Sequence, residues 1–140
     1  LMAKVLGLDL GSRTCGVAIS DMFGFLARVY DTIRFTDDDY DTCAKKIVEI
    51  CEKEQINDIV LGLPKHMNGD VGIRGQISID FKEKLLKKHP FNVILWDERL
   101  SSVAVNRAMI DGNMRREFRK EHKDELAAVV ILQGYLDFKR

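Results

Sequence analysis

No apolar run in the 140-residue sequence approaches the roughly 20 residues that a membrane-spanning helix needs. The N-terminus has no basic stretch followed by an apolar core, so no secretory signal is read there. Leu1 stands before Met2, and Met2 is the expected start. Cysteine is scarce: Cys15, Cys43 and Cys51 are odd in number and form no C-x-x-C pair, which indicates neither a disulfide framework nor zinc. The expected compartment is therefore the cytoplasm. Net charge is absent too, because 22 basic and 22 acidic residues cancel, so no global field advertises a nucleic-acid partner. Internal repeats, low-complexity tracts and interdomain linkers are also missing.

What is present fits one compact domain over residues 2–140, with 46% hydrophobic and 31% charged residues. The charge is unevenly spread. "TDDDYD" (36–41) precedes a helical pattern and reads as capping and dipole complementation. "NMRREFRKEHK" (113–123) holds five Lys/Arg against two Glu. By itself that run reads as a solvated linker.

Aliphatic runs at 4–10 and 16–21 flank "GSRTC", and "RVYDTIRF" (28–35) follows closely, which predicts an antiparallel three-stranded meander. Cys43, Ile47, Ile50 and Cys51 step at three and four, predicting a helix from Asp39 to about Gln55 with both cysteines in the core. "DIVLGLP" (58–64) and "NVILWDE" (92–98) read as buried strands, with a helix over roughly 73–89 between them. A third helix is expected at 101–112. The last, 124–138, is apolar nearly all round and should be buried. The order β-β-β-α-β-α-β-α-α predicts an α/β fold: a five-stranded mixed sheet, the meander plus two parallel strands, flanked by helices.

Within this frame one carboxylate is out of place. Asp9 interrupts the apolar first strand, which should be central. Glu98 closes the last strand and Asp124 opens the last helix. If strands one, four and five are parallel neighbours, these three acids converge beyond the strands' C-terminal ends. Alone, Glu98 reads as a solvated strand-end charge, Asp124 as a helix cap, and Asp9 as one half of a pair with Arg13 or another cation. Together, each close pair of like charges costs on the order of 4 kcal/mol at an effective dielectric of ~20. Protonation or a divalent cation relieves that cost. Hard oxygen donors suit Mg²⁺ or Mn²⁺, and two such ions ~3.5–4 Å apart can activate water and stabilise the leaving oxygen of a phosphodiester. Asp97 reads as an orienting or solvated neighbour rather than a ligand.

Four motifs sharpen the reading: "LDLGSRTCGVAISD" (8–21), "LGLPKHMNG" (61–69), "WDERLSS" (96–102) and "KDELAAVVILQGYL" (123–136). In order and spacing the chain resembles, almost end to end, the YqgF-type (RuvX-like) family of pre-16S rRNA nucleases, relatives of RuvC-like Holliday-junction resolvases. The resemblance implies a ribonuclease H-like fold and a catalytic, metal-binding triad of Asp9, Glu98 and Asp124. In that scheme Asp9 lies between two ions, with Glu98 and Asp124 on one each. It also matches Arg99 and Ser101, with Arg99 contacting phosphate or supporting the site. Gly7, Gly11 and Gly16 keep the first hairpin thin enough for a backbone to approach. Lys65 and His66 stand where relatives often have Leu and Asn, and His66 reads as a loop or phosphate contact.

Beside such a site the basic run gains a use. Arg13, Arg99, Arg115, Arg116, Arg119 and Lys120 are candidates to contact a nucleic-acid backbone, and Phe118 to stack on an unpaired base. The expected activity is metal-dependent phosphodiester hydrolysis in 5′-end maturation of pre-16S rRNA, by a monomer or weak homodimer. Branched DNA is the alternative substrate, and a catalytically silent nucleic-acid-binding module the alternative role. The first motif also resembles the phosphate-binding hairpin of sugar-kinase and actin-type ATPases, which need two such domains.

Overall fold

The alternation of Leu6, Leu8 and Leu10 with Gly7 and Asp9 sends two different residue sets to opposite sides of one strand. The computed structural model of the chain describes residues 3–100 and 116–139. Its strands are β1 (Val5–Leu10), β2 (Thr14–Ser20), β3 (Ala27–Arg34), β4 (Asp58–Leu63) and β5 (Asn92–Asp97). Helices α1 (Tyr40–Glu54) and α2 (Ile73–Lys88) connect them, a 3-10 turn covers Glu98–Leu100, and α3 (Arg116–Glu121) and α4 (Lys123–Lys139) follow.

The sheet order is β3-β2-β1-β4-β5, with β1 in the middle as expected. β1, β2 and β3 form the antiparallel meander. β1, β4 and β5 run parallel, so their C-terminal ends share one edge of the sheet. The mixed five-stranded fold agrees with the sequence reading.

The two faces are packed differently. Leu6, Leu8, Val17, Ile59 and Leu61 meet Cys43 and Ile47 of α1 and Phe81 and Leu85 of α2. On the other face small residues line the sheet, and α4 settles closely upon it through Ala128, Ile131, Leu132 and Leu136. A Cβ on Gly7 would stand 2.6 Å from the Leu132 Cβ, so β1 and α4 touch at a distance only glycine permits. Here the backbone that approaches the thin hairpin is the protein's own last helix.

Local signals behave as their chemistry predicts. The Asp39 side chain caps α1 by accepting from the Thr42 amide. All three cysteines are buried and free. Within the basic run, residues 116–121 form the short helix α3, which has no buried residue. The helix expected at 101–112 lies outside the described residues. Among the described residues no helix is long and apolar enough to cross a membrane.

Candidate active site

Three carboxylates gather at the edge where β1, β4 and β5 end. Asp9 pairs in register with Gly16 of β2, so both belong to the side of the sheet that carries α4. Glu98 follows β5 directly and begins the 3-10 turn. It lies over β4, since a Cβ on Gly62 would be 3.0 Å from Glu98 Oε2. Asp124 sits in the first turn of α4, and a Cβ on Gly16 would be 1.9 Å from its carbonyl oxygen. Two glycines thus make room for two of the acids, and Asp9 lies on the strand between them.

The electrostatics record this convergence. Burial raises the pKa of Asp9, the Asp124 charge raises it further, and Arg74 opposes the shift. Burial likewise pushes Glu98 up to about 7, reinforced by Asp9 and Asp97 and again opposed by Arg74. Desolvation and like charges both disfavour the ionised forms. The cation facing Asp9 is Arg74, not Arg13. Arg13 is turned outward onto Asp37 through both Nε and Nη2. Arg74, in the first turn of α2, donates from Nη2 to the Leu10 carbonyl at 3.2 Å, which fixes it beside the end of β1.

All three acids offer hard oxygen donors, the set that suits Mg²⁺ or Mn²⁺. Their closeness is pairwise, Asp9 with Asp124 and Asp9 with Glu98. Among the described residues no three His, Cys, Asp or Glu side chains are closed into a ready metal cage. The donor chemistry therefore fits a hard divalent cation, while its coordination requires the side chains to draw together.

Asp97 binds Arg99 Nη2 at 2.7 Å and lies 3.9 Å from Lys65 Nζ. Arg99 also reaches the Met67 carbonyl, tying the turn after β5 to the loop after β4. His66 lies against Gly72 within that loop. Arg116, Arg119 and Lys120 stand on α3, immediately before the helix that carries Asp124. Phe118 is partly exposed and stacks on His122 with ring centroids 4.3 Å apart. Arg115 and Ser101 lie outside the described residues.

Sequence reasoning missed four residues here. One is Arg74. The others form a buried link in which Glu125 accepts from Thr32 of β3 and bonds His122 Nδ1. Those bonds hold the Glu125 pKa below its ordinary value despite its burial. A charged residue inside the first turn of an otherwise apolar helix was the available signal for Glu125.

Comparison with known proteins gives a consistent result. The family model described as RuvX, Holliday junction resolvase, matches residues 3–138. Proteins named "Putative pre-16S rRNA nuclease" from Staphylococcus aureus strains JH9 and N315 are 45% identical over 138 residues, covering 98% of this chain and 97% of theirs. In fold, the chain matches Thermus thermophilus RuvC in complex with a Holliday junction substrate at TM-score 0.66 and 10% identity, covering 98% of this chain and 96% of that one. It matches the fowlpox virus Holliday junction resolvase at TM-score 0.59 and 12% identity, covering 98% and 99%.

Proposed function

The chain belongs to the RuvX family, and from that membership and the carboxylate edge of the sheet we propose that it is a metal-dependent nuclease acting on the 5′ end of pre-16S rRNA in the cytoplasm. The observation that carries the reading is the pairwise approach of Asp124, at the start of α4, and of Glu98, at the end of β5, to Asp9 of β1. The substrate is taken from the near-full-length relatives and their name.

Asp9, Glu98 and Asp124 are the residues that would hold Mg²⁺ or Mn²⁺. When bound, the cation supplies Lewis acidity to the attacking water and the leaving oxygen. The chain's own groups prepare that site. Arg74 favours the ionised forms of Asp9 and Glu98, the forms able to bind a cation. Glu125, held by Thr32 and His122, anchors the first turn of α4 and with it Asp124. Arg116, Arg119 and Lys120, together with Arg13, Arg99 and Arg115, neutralise backbone phosphates, so binding is salt-dependent. Phe118 offers a face to an unpaired base.

A second reading, resolution of four-way DNA junctions, is favoured by the Holliday junction resolvase activity for which the matching family is named. It requires two sites acting on opposed strands, hence paired copies. End-labelled 5′-extended rRNA precursor and a four-way DNA junction, offered side by side in Mg²⁺, Mn²⁺ or chelator, separate the two. Metal-dependent cutting of the RNA is expected. Preferential paired cuts in the junction would replace the RNA reading. Binding of both substrates with no cutting would leave a silent binding module.

A further inference from the structure

Asp38 stands in the left-handed region at φ 60°, a conformation uncommon for any residue but glycine. Hydrogen bonds hold it there. Its amide donates to the Ser12 carbonyl at 2.9 Å, the Phe35 amide to the Arg13 carbonyl at 2.9 Å, and the Tyr40 amide to the Asp38 carbonyl at 2.9 Å. The loop before α1 is thereby stitched to the β1–β2 turn, which follows the strand end that carries Asp9. Asp38 is not spent on capping α1, because Asp39 does that. Its carboxylate accepts instead from the Tyr40 hydroxyl, at 3.0 Å on Oδ1.

Tyr40 begins α1, and its ring is held in place. Phe35 packs against it with centroids 5.9 Å apart, and Phe81 of α2 meets it edge-on at 6.4 Å. With its proton directed to Asp38, the hydroxyl oxygen is left as an acceptor, and Arg74 supplies the donor. Burial raises the Tyr40 pKa above its ordinary value; the hydrogen bond from Arg74 opposes the rise and the one to Asp38 adds to it. Arg74 is thus held from two sides, by the Leu10 carbonyl at 3.2 Å and by Tyr40.

We propose that Tyr40 is a positioning residue of the carboxylate site: its hydroxyl, drawn against Asp38, holds the Arg74 guanidinium beside Asp9 and Glu98.

Arginine is a long, flexible side chain, and two fixed acceptors on different elements restrict it far more than one. Asp38 strengthens the hold, since a hydroxyl that donates to a carboxylate is polarised into a better acceptor. The backbone conformation of Asp38 then has a use, because it is what brings the carboxylate to the hydroxyl. Tyr40 also packs against the main core. Its ring serves that packing, and the hydroxyl serves Arg74.

The inference rests on the carboxylates being the cleavage site, and its test separates the two claims. Tyr40→Phe keeps the ring and removes the hydroxyl. At saturating Mn²⁺ it is expected to lower kcat for RNA cleavage about 10-fold with KM unchanged, the effect of losing one hydrogen bond to a charged group. Asp38→Asn, which tolerates the left-handed backbone, is expected to lower kcat less. In an Arg74→Met background, Tyr40→Phe should change kcat by less than about two-fold, because a residue acting only through Arg74 has nothing left to act on. A purely structural role would repeat its loss there. In the metal-free protein, the Arg74 Nε–H resonance, identified by its absence from Arg74→Met, should shift in Tyr40→Phe. Wild-type kcat in Tyr40→Phe, a full loss repeated without Arg74, or an Arg74 resonance left in place by Tyr40→Phe each overturns the proposal. If the wild type cuts no RNA, the nuclease reading fails, and the resonance alone decides whether Tyr40 positions Arg74.

Discussion

The carbonyl oxygen of Asp124 occupies the space where a side chain at residue 16 would begin, for a Cβ on Gly16 falls 1.9 Å from it. The obstacle is backbone, so no rotamer change relieves it. Gly16→Ala must push the start of α4 off the sheet and carry Asp124 away from Asp9. Overpacking of this kind costs about 1–3 kcal/mol, and a 1 Å misplacement of a reacting group can cost on the order of 100-fold in rate. A lowered melting temperature and a cleavage loss of that size are expected. Unaltered cleavage would show that Asp124 need not sit where it does.

Glu98 makes apo-protein stability depend on pH. Its proton is held more tightly in the folded chain, with a pKa of about 7 against 4.5. The stability it contributes is therefore full below about pH 4.5 and is lost as pH rises through about 7. The facing charges are Asp9 on β1, Asp97 on β5 and Arg74 on α2. In chelator, thermal melts of Glu98→Gln should lose the wild type's decline across this window and melt higher above neutrality. A parallel decline in both proteins would remove Glu98 as its source.

Arg74 should matter to activity without being a metal ligand. Arg74→Met removes the charge that, among the described residues, opposes protonation of both Asp9 and Glu98. The rising limb of the cleavage pH profile is expected to move to higher pH, and Arg74→Lys to restore it in part. A profile that falls in height without moving would assign Arg74 a purely structural role.

Metal binding follows the same acids. Calorimetric titration of Mn²⁺ should show weaker binding and fewer sites in Asp9→Asn than in the wild type, because Asp9 is the acid that both Asp124 and Glu98 face. Equal affinity and stoichiometry would take Asp9 out of the metal site.

The basic helix α3 is predicted to act on binding alone. Arg116→Ala, Arg119→Ala and Lys120→Ala each take one cation away from a backbone phosphate, and each should lower the salt slope of single-stranded binding by about 0.7. The maximal rate should hold. A slope unchanged by all three substitutions would place the nucleic acid elsewhere.

The placement of the three carboxylates at one end of the sheet was readable before the fold was known, and the reasons are physical. Asp9 interrupts an apolar strand, Glu98 ends one and Asp124 opens a buried helix, which suggested a shared edge only if β1, β4 and β5 run parallel; the family resemblance, not the pattern, singled the three out. Arg74 was hidden because its partner, the Leu10 carbonyl, lies 64 residues away in sequence. Glu125 was hidden for the same reason, its partner Thr32 being 93 residues distant. Arg13 misled by nearness in sequence to Asp9, whereas the fold turns it onto Asp37. The short helix α3 has no buried residue and hence no apolar stripe to announce it.

If these carboxylates perform chemistry rather than merely end their elements, Asp9→Asn must bind RNA and fail to cut it. Single-turnover cleavage of 5′-extended rRNA precursor in Mn²⁺, with the bound fraction measured in parallel, tests this most directly against the wild type. Equal RNA binding by both proteins and cutting by the wild type alone are predicted. Equal cutting by Asp9→Asn, at equal binding, would contradict the catalytic role.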